Sequence, residues 1–204
     1  MKKLFGLLLC ITVLSVTFIF TADASAPITH TVVRGESMWK IAVKYEVGLS
    51  ELKTANPHIK NPSLIYPGQI ITVPTLSSEV LAYEKEVVRL VNEERAKAGL
   101  KPLTYNWELS RVARYKSEDM RERNYFAHNS PTYGSPFQMI KSFGISYRTA
   151  GENIAKGYSS PERVVNGWMN SSGHRANILN SSFTEIGVGY VYNGHYWTQM
   201  FIGK

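Results

Sequence analysis

The 204-residue chain has a single cysteine, Cys10, which lies inside an apolar N-terminal run. Once that run is removed, no disulfide remains, and a protein outside the cell must then be held by its core alone. This fits a Gram-positive bacterial exterior better than a eukaryotic secretory route. No basic run of the kind that grips nucleic acid is present, although the formal net charge is +7. The five histidines include no His-x-x-x-His or similar local metal spacing. No serine sits in a strained strand-to-helix elbow of the Gly-x-Ser-x-Gly type. Long repeats and low-complexity tracts are also lacking, which leaves an ordinary globular composition of 44% hydrophobic and 19% charged residues.

The N-terminus has its own pattern. Lys2 and Lys3 precede an almost unbroken apolar run over residues 4–20, and small residues follow at Ala22, Ala24, Ser25 and Ala26. This is the layout of a secretory signal peptide, expected over residues 1–26. Cleavage is expected after Ala24, with Ala26 the second choice because Pro27 follows it. An uncut membrane anchor is the rival reading, since the run is about long enough to span a bilayer. Leu9 is too large to precede a lipid-modified cysteine, so Cys10 reads as one more apolar residue. Loss of Lys2, Lys3 and Asp23 lowers the net charge by one, to +6. Such a protein is drawn to anionic wall polymers, or simply carries a solvated basic surface.

Two units follow, joined by a short linker at residues 75–79. In residues 29–74 an alternating β-branched stretch (30–34) predicts a strand. Ser37 is placed to cap a helix with an apolar stripe of Met38, Trp39, Ala42, Val43 and Tyr45, with Trp39 read as core. Ser50 is placed to cap a second helix that ends before Pro57. Tyr66-Pro67-Gly68 forms a turn, and residues 69–73 a closing strand. In residues 80–204, Val80, Val87, Leu90, Val91 and Glu94 line a helix stopped by Gly99 and Pro102. A second helix is expected over 107–120. Ser135-Pro136 and Ser160-Pro161 each combine a cap with proline at the first helical position and start two more. Asn193-Gly194 between two strand-like runs is a hairpin signal.

The segment VVRGESMWKIAVKYEVGLSELKTANPHIKNPSLIYPGQIITVP resembles a LysM module along its whole length: the Gly-acid-Ser-x-Trp start, the ANP and the YPGQ occur in order. The resemblance implies a βααβ fold that binds N-acetylglucosamine-containing chains, peptidoglycan or chitin. A neutral amide sugar needs backbone donors and acceptors and an apolar floor rather than a catalytic group. Two loops can supply them, one with Gly35, Glu36, Ser37 and Met38, the other with Asn56, Pro57, His58 and Ile59. Each also has a plain structural role open to it: a turn for Gly35, a cap for Ser37, an exposed loop position for His58. One module alone binds weakly, so avidity needs further copies.

LVNEERAKAGLKPLTYN, YFAHNSP, AGENIA, GWMNSSGHRANIL and FTEIGVGY resemble the bacterial branch of the CAP (SCP/PR-1/antigen 5) superfamily. The fold class expected is α+β: a small βααβ LysM module plus a CAP α-β-α sandwich. The resemblance implies a cleft with two histidines and two glutamates, sometimes with a divalent metal. Here His128, Glu152 and His174 match, while the second glutamate position carries Ser171. Two histidines and one carboxylate suit zinc with an open fourth position; Glu152 can instead orient a histidine by hydrogen bonding. The same three are the only candidates for catalysis, and Asn153 reads as loop support. His195, in GHYWTQ, reads as a surface hairpin residue, and Ser171 and Ser172 as helix-end or turn residues.

Three functions are compatible with this. The first is a secreted, wall-associated protein that holds peptidoglycan or a related polymer and offers a cleft for an ion or small ligand. The second is a metal-assisted hydrolase of wall or protein. The third is a structural protein of an envelope or spore layer with a vestigial cleft. Nucleic-acid partners, and a membrane span after signal cleavage, are not expected.

Overall fold

The computed structural model describes residues 27–204. The expected leader, Cys10 and both cut sites lie outside the described residues. The smaller unit pairs β1 (Ile28–Thr31) antiparallel to β2 (Ile70–Val73), with Ile28 opposite Val73. Between them run α1 (Met38–Lys44) and α2 (Leu49–Thr54). Ser37 caps α1 by accepting from the Lys40 N–H at 3.3 Å. The cap of α2 is Gly48 rather than Ser50, which lies within the helix and donates to Glu51. Met38, Ile41 and Ala42, at i, i+3 and i+4, bury one face of α1 with Leu52, Ile59, Ile71 and Val73. Trp39 falls about 100° around the helix from Met38 and is 51% exposed, which corrects its reading as core.

The larger unit is a four-stranded sheet in the order β3 (Thr104–Tyr105), β5 (Glu185–Val191), β6 (Tyr196–Gly203), β4 (Thr149–Lys156). Only the β3–β5 pair is parallel. Strand alternation sends side chains to two helical layers. Met200 and Ile202 pack with α4 (Trp107–Glu122) and α5 (Pro136–Ser142). Trp197 and Phe201 pack with α3 (Ser78–Lys97), α6 (Pro161–Met169) and α7 (Ser172–Ile178). The α4 layer lies close because of the GVG motif: a Cβ on Gly187 would stand 2.3 Å from the Leu109 carbonyl carbon, and one on Gly189 2.1 Å from the Arg114 nitrogen. The hairpin turn differs from a two-residue Asn-Gly turn. Positive φ falls at Gly194 and His195, not Asn193, and the His195 N–H donates to the Tyr192 carbonyl.

The two units touch through a polar clamp. Arg111 on α4 donates to both Glu51 oxygens, at 2.5 and 2.8 Å, and to the Ser50 hydroxyl at 2.8 Å. The Tyr115 hydroxyl donates to the same carboxylate at 2.8 Å.

Candidate functional site

The first loop of the small unit is held from below. The buried His30 ring joins the Tyr45 hydroxyl at 3.0 Å through Nδ1 and Glu36 Oε2 at 2.7 Å through Nε2. Glu36 Oε2 also accepts from the Val33 N–H at 2.9 Å; this bond and the one to His30 lower its pKa. Lys40 Nζ donates to the Gly35 carbonyl at 2.7 Å. Glu36 therefore faces inward as a positioning residue, while Gly35 (φ +87°) and Ser37 face solvent.

The expected glycan-contact set divides further. Pro57 and His58 are exposed, but Met38, Asn56 and Ile59 are buried. The Met38 and Ile59 side chains belong to the core. The Asn56 side chain is a structural staple: its Nδ2 donates to the Leu52 and Thr72 carbonyls at 2.8 and 2.7 Å, and its Oδ1 accepts from the Thr72 N–H at 2.8 Å. Its side chain ties the end of α2 to β2 and has no free amide group for a sugar.

In the larger unit, His128 stands on the loop after α4. Two buried charges of opposite sign on that helix, one turn apart, shape the loop. Lys116 Nζ donates to the Ala127 and His128 carbonyls, both at 2.8 Å, and to the Tyr125 hydroxyl at 3.1 Å. Asp119 accepts from the hydroxyls of Tyr125, Ser130 and Thr132 at 2.5, 2.6 and 2.5 Å. Neither residue was singled out in the sequence. A lysine and an aspartate three apart look like an exposed pair on a helix surface, and only the returning loop buries them.

His128 Nδ1 meets Glu152 Oε1 at 2.7 Å. Glu152 lies on β4 with its side chain 1% exposed. Burial raises its pKa, outweighing the opposing pull of His128 and Lys116. The bond to Glu152 raises the pKa of His128. Glu152 Oε2 and Gln199 Nε2 are buried without a partner among the described residues. Such groups are costly unless a water or ligand atom reaches them. Asn153 supports the site from the strand, donating to the His174 carbonyl at 3.1 Å and to Gln199 Oε1 at 2.9 Å. Asn177 fastens α7 to β4 through the Glu152 carbonyl at 3.2 Å and Asn153 Oδ1 at 2.9 Å. His174, on α7, is lowered in pKa by burial and by the positive charge on His128. His128 and Glu152 are thus directly bonded, and His174 shares their electrostatic neighbourhood.

The donor set does not fit the three-ligand metal site. Among the described residues, no group of three His, Cys, Asp or Glu side chains could hold a metal ion. His128 Nδ1 is engaged with Glu152, and Ser171 serves as the N-cap of α7 in place of a second carboxylate. In this arrangement His128 and Glu152 stand as a hydrogen-bonded pair with His174 as a flanking imidazole. No hydrogen bond links Ser171 or Ser172 to a histidine among the described residues, so no nucleophile–base pair is formed. His195 lies in the hairpin turn, bonded to the Tyr190 hydroxyl at 2.7 Å.

The four-stranded sheet between two helical layers is a CAP-type domain, and the small unit a LysM-type module. Residues 88–202 match the CAP family, described as the cysteine-rich secretory protein family, and residues 30–74 match the LysM domain. The chain belongs to the CAP family and carries a LysM domain ahead of the CAP domain. The protein YkwD of Bacillus subtilis (strain 168) is 65% identical over 133 residues, 65% of this chain and 52% of that protein. The N-acetylmuramoyl-L-alanine amidase sle1 of Staphylococcus epidermidis is 37% identical over 71 residues, 35% of this chain and 21% of that protein. An extracellular SCP-domain protein of Bacillus anthracis superimposes with TM-score 0.59 at 35% identity, covering 68% of this chain and 47% of that one. The chain spans about half the length, or less, of the curated relatives it matches. Among the described residues no helix is long and apolar enough to cross a membrane.

Proposed function

We propose that the chain is a secreted, wall-associated protein whose LysM domain holds N-acetylglucosamine-containing glycan, peptidoglycan above all. Its CAP domain presents the His128–Glu152 pair, flanked by His174, to a small polar ligand. The LysM match over residues 30–74 carries this reading, with a loop that leaves Gly35 and Ser37 exposed on an inward-facing Glu36–His30 support. A loop fixed in this way loses little entropy when a neutral sugar binds. Export rests on the leader pattern in residues 1–26. A hydrolase reading is less well supported, because Ser171 stands where the second carboxylate is expected and, among the described residues, no hydrogen bond joins Ser171 or Ser172 to a histidine.

The test is retention of the whole protein on purified peptidoglycan, with N-acetylglucosamine oligomers as competitors. Retention that the oligomers relieve supports the reading; no retention, or retention that only salt relieves, overturns it. Mass spectrometry of exported protein should show an N-terminus after Ala24 or Ala26. A chain that keeps Met1 or Lys2 in the membrane fraction would establish the anchor instead.

A further inference from the structure

An open groove of about 750 Å³ lies on the CAP domain, lined by Gly157, Tyr158, Glu162, Arg163, Asn166, Gly167 and Asn170. Neither the LysM loops nor the His128–Glu152 pair contributes to it. Its floor follows from local sequence. Tyr158 comes directly after β4, and its carbonyl is fixed by the Trp197 indole N–H at 2.7 Å. Tyr158 is 37% exposed, and its ring lies against α6 where Gly167 has no side chain; a Cβ there would stand 2.7 Å from both Cζ and Oη of Tyr158.

One turn apart on the same helix, Asn170 Nδ2 donates to Asn166 Oδ1 at 2.7 Å. That bond uses one donor and one acceptor. Among the described residues, no hydrogen bond takes up Asn166 Nδ2 or Asn170 Oδ1. Reversing both amides leaves the same outcome, an amide N–H group and an amide oxygen of the pair without a bond among the described residues. Glu162 and Arg163 stand at the rim, and neither is in an ion pair among the described residues.

We propose that this groove is a second glycan-contact site, specific for a sugar that carries an N-acetyl group. The acetamido C=O and N–H match the free donor and acceptor of the asparagine pair. The apolar face of the ring covers Tyr158, and the rim charges reach its hydroxyls. The ligand class rests on the wall-glycan reading above, but the site is on the other domain. Two weak sites on one chain give avidity that a single LysM domain lacks.

The experiment is an NMR titration of the whole protein with an N-acetylglucosamine tetramer, read at the asparagine side-chain amides and tyrosine rings. A cellulose tetramer, which has no acetamido group, is the control. Shifts at Asn166, Asn170 and Tyr158 with the first sugar alone are expected. In the Tyr158→Ala protein the shifts at Asn166 and Asn170 should need about tenfold more sugar, equivalent to about 1.4 kcal/mol. Gly167→Ala should lift the Tyr158 ring and weaken the same site without unfolding the helix. LysM signals should respond unchanged in both variants. Shifts confined to residues 30–74, or equal shifts with both sugars, would overturn the proposal. Absence of LysM shifts alone would instead strike the wall-glycan reading.

Discussion

The LysM and CAP domains hold their exposed loops by different means. In the LysM domain one buried imidazole and one carboxylate support the Gly35 loop, and six residues separate His30 from Glu36. In the CAP domain the His128 loop wraps two buried charges of α4, and its histidine pairs with a strand residue 24 positions further on. Short-range support makes a small domain viable and lets its binding loop be read locally. Long-range support buries charge, so each partner becomes costly to remove.

The largest effect should come from the CAP side. Lys116→Met removes the cation that three oxygens surround and leaves two loop carbonyls without a donor. Hydrogen bonds from a charged donor contribute about 1.5–3 kcal/mol each. Urea unfolding should show a loss on that scale, together with altered His128 chemical shifts. A loss under 1 kcal/mol would mean that the loop holds itself.

Asn56→Ala provides the matching break in the LysM domain. It deletes three hydrogen bonds, one to Leu52 in α2 and two to Thr72 in β2, and should cost about 2 kcal/mol. Proteolysis should expose residues 27–74 first and leave the CAP domain intact. Full LysM stability with glycan binding lost would return Asn56 to the ligand contacts.

The comparison extends to pH. His128 is raised by Glu152, so its bond contributes fully below the unfolded value of about 6.5 and is lost as pH climbs through the folded value. The buried Glu152 works in the same sense from a lower onset, since its raised pKa makes the ionised form costly and stability falls as pH rises above about 4.5. NMR titration should therefore find His128 above 6.5 and His174 below it. Glu152→Gln should bring His128 down towards 6.5. Identical midpoints for the two histidines would contradict the pairing.

The smallest effect should be at the junction. Burial pushes the Glu51 carboxyl up, but hydrogen bonds from Arg111, Ser50 and Tyr115 hold it at about 2. The pair is partly exposed, so Arg111→Ala should cost no more than about 1 kcal/mol. That contribution is present above about pH 4.5 and fades as pH falls towards 2. Small-angle scattering should nevertheless detect freer movement between the domains. An unchanged profile would mean that the linker alone sets their arrangement.

Legibility in the sequence followed the same divide. Ser37, Ser135 and Ser160 announced their helices through local caps, and all three caps form. The strand β4, TAGENIAK, carries glycine, glutamate and asparagine, which depress strand propensity, and was not legible; pairing with β6 makes it a strand. The seven-residue α7 buries only Ile178 and offers no periodicity to read. His128, Glu152 and His174 could be assembled only through family resemblance. The amide staple of Asn56 and the burial of Lys116 depend on chain segments that return from elsewhere, which no local pattern encodes.

The division of labour between the domains is tested most directly by peptidoglycan retention of two variants beside the parent. Gly35→Val forces a β-branched residue into a left-handed backbone conformation (φ +87°) and should distort the LysM loop. His128→Ala/His174→Ala empties the CAP cleft of its imidazoles. The first should weaken retention about tenfold, equivalent to about 1.4 kcal/mol, and the second should leave it unchanged. Full retention by the Gly35 variant, with loss in the double histidine variant, would place wall binding in the CAP cleft and contradict the assignment.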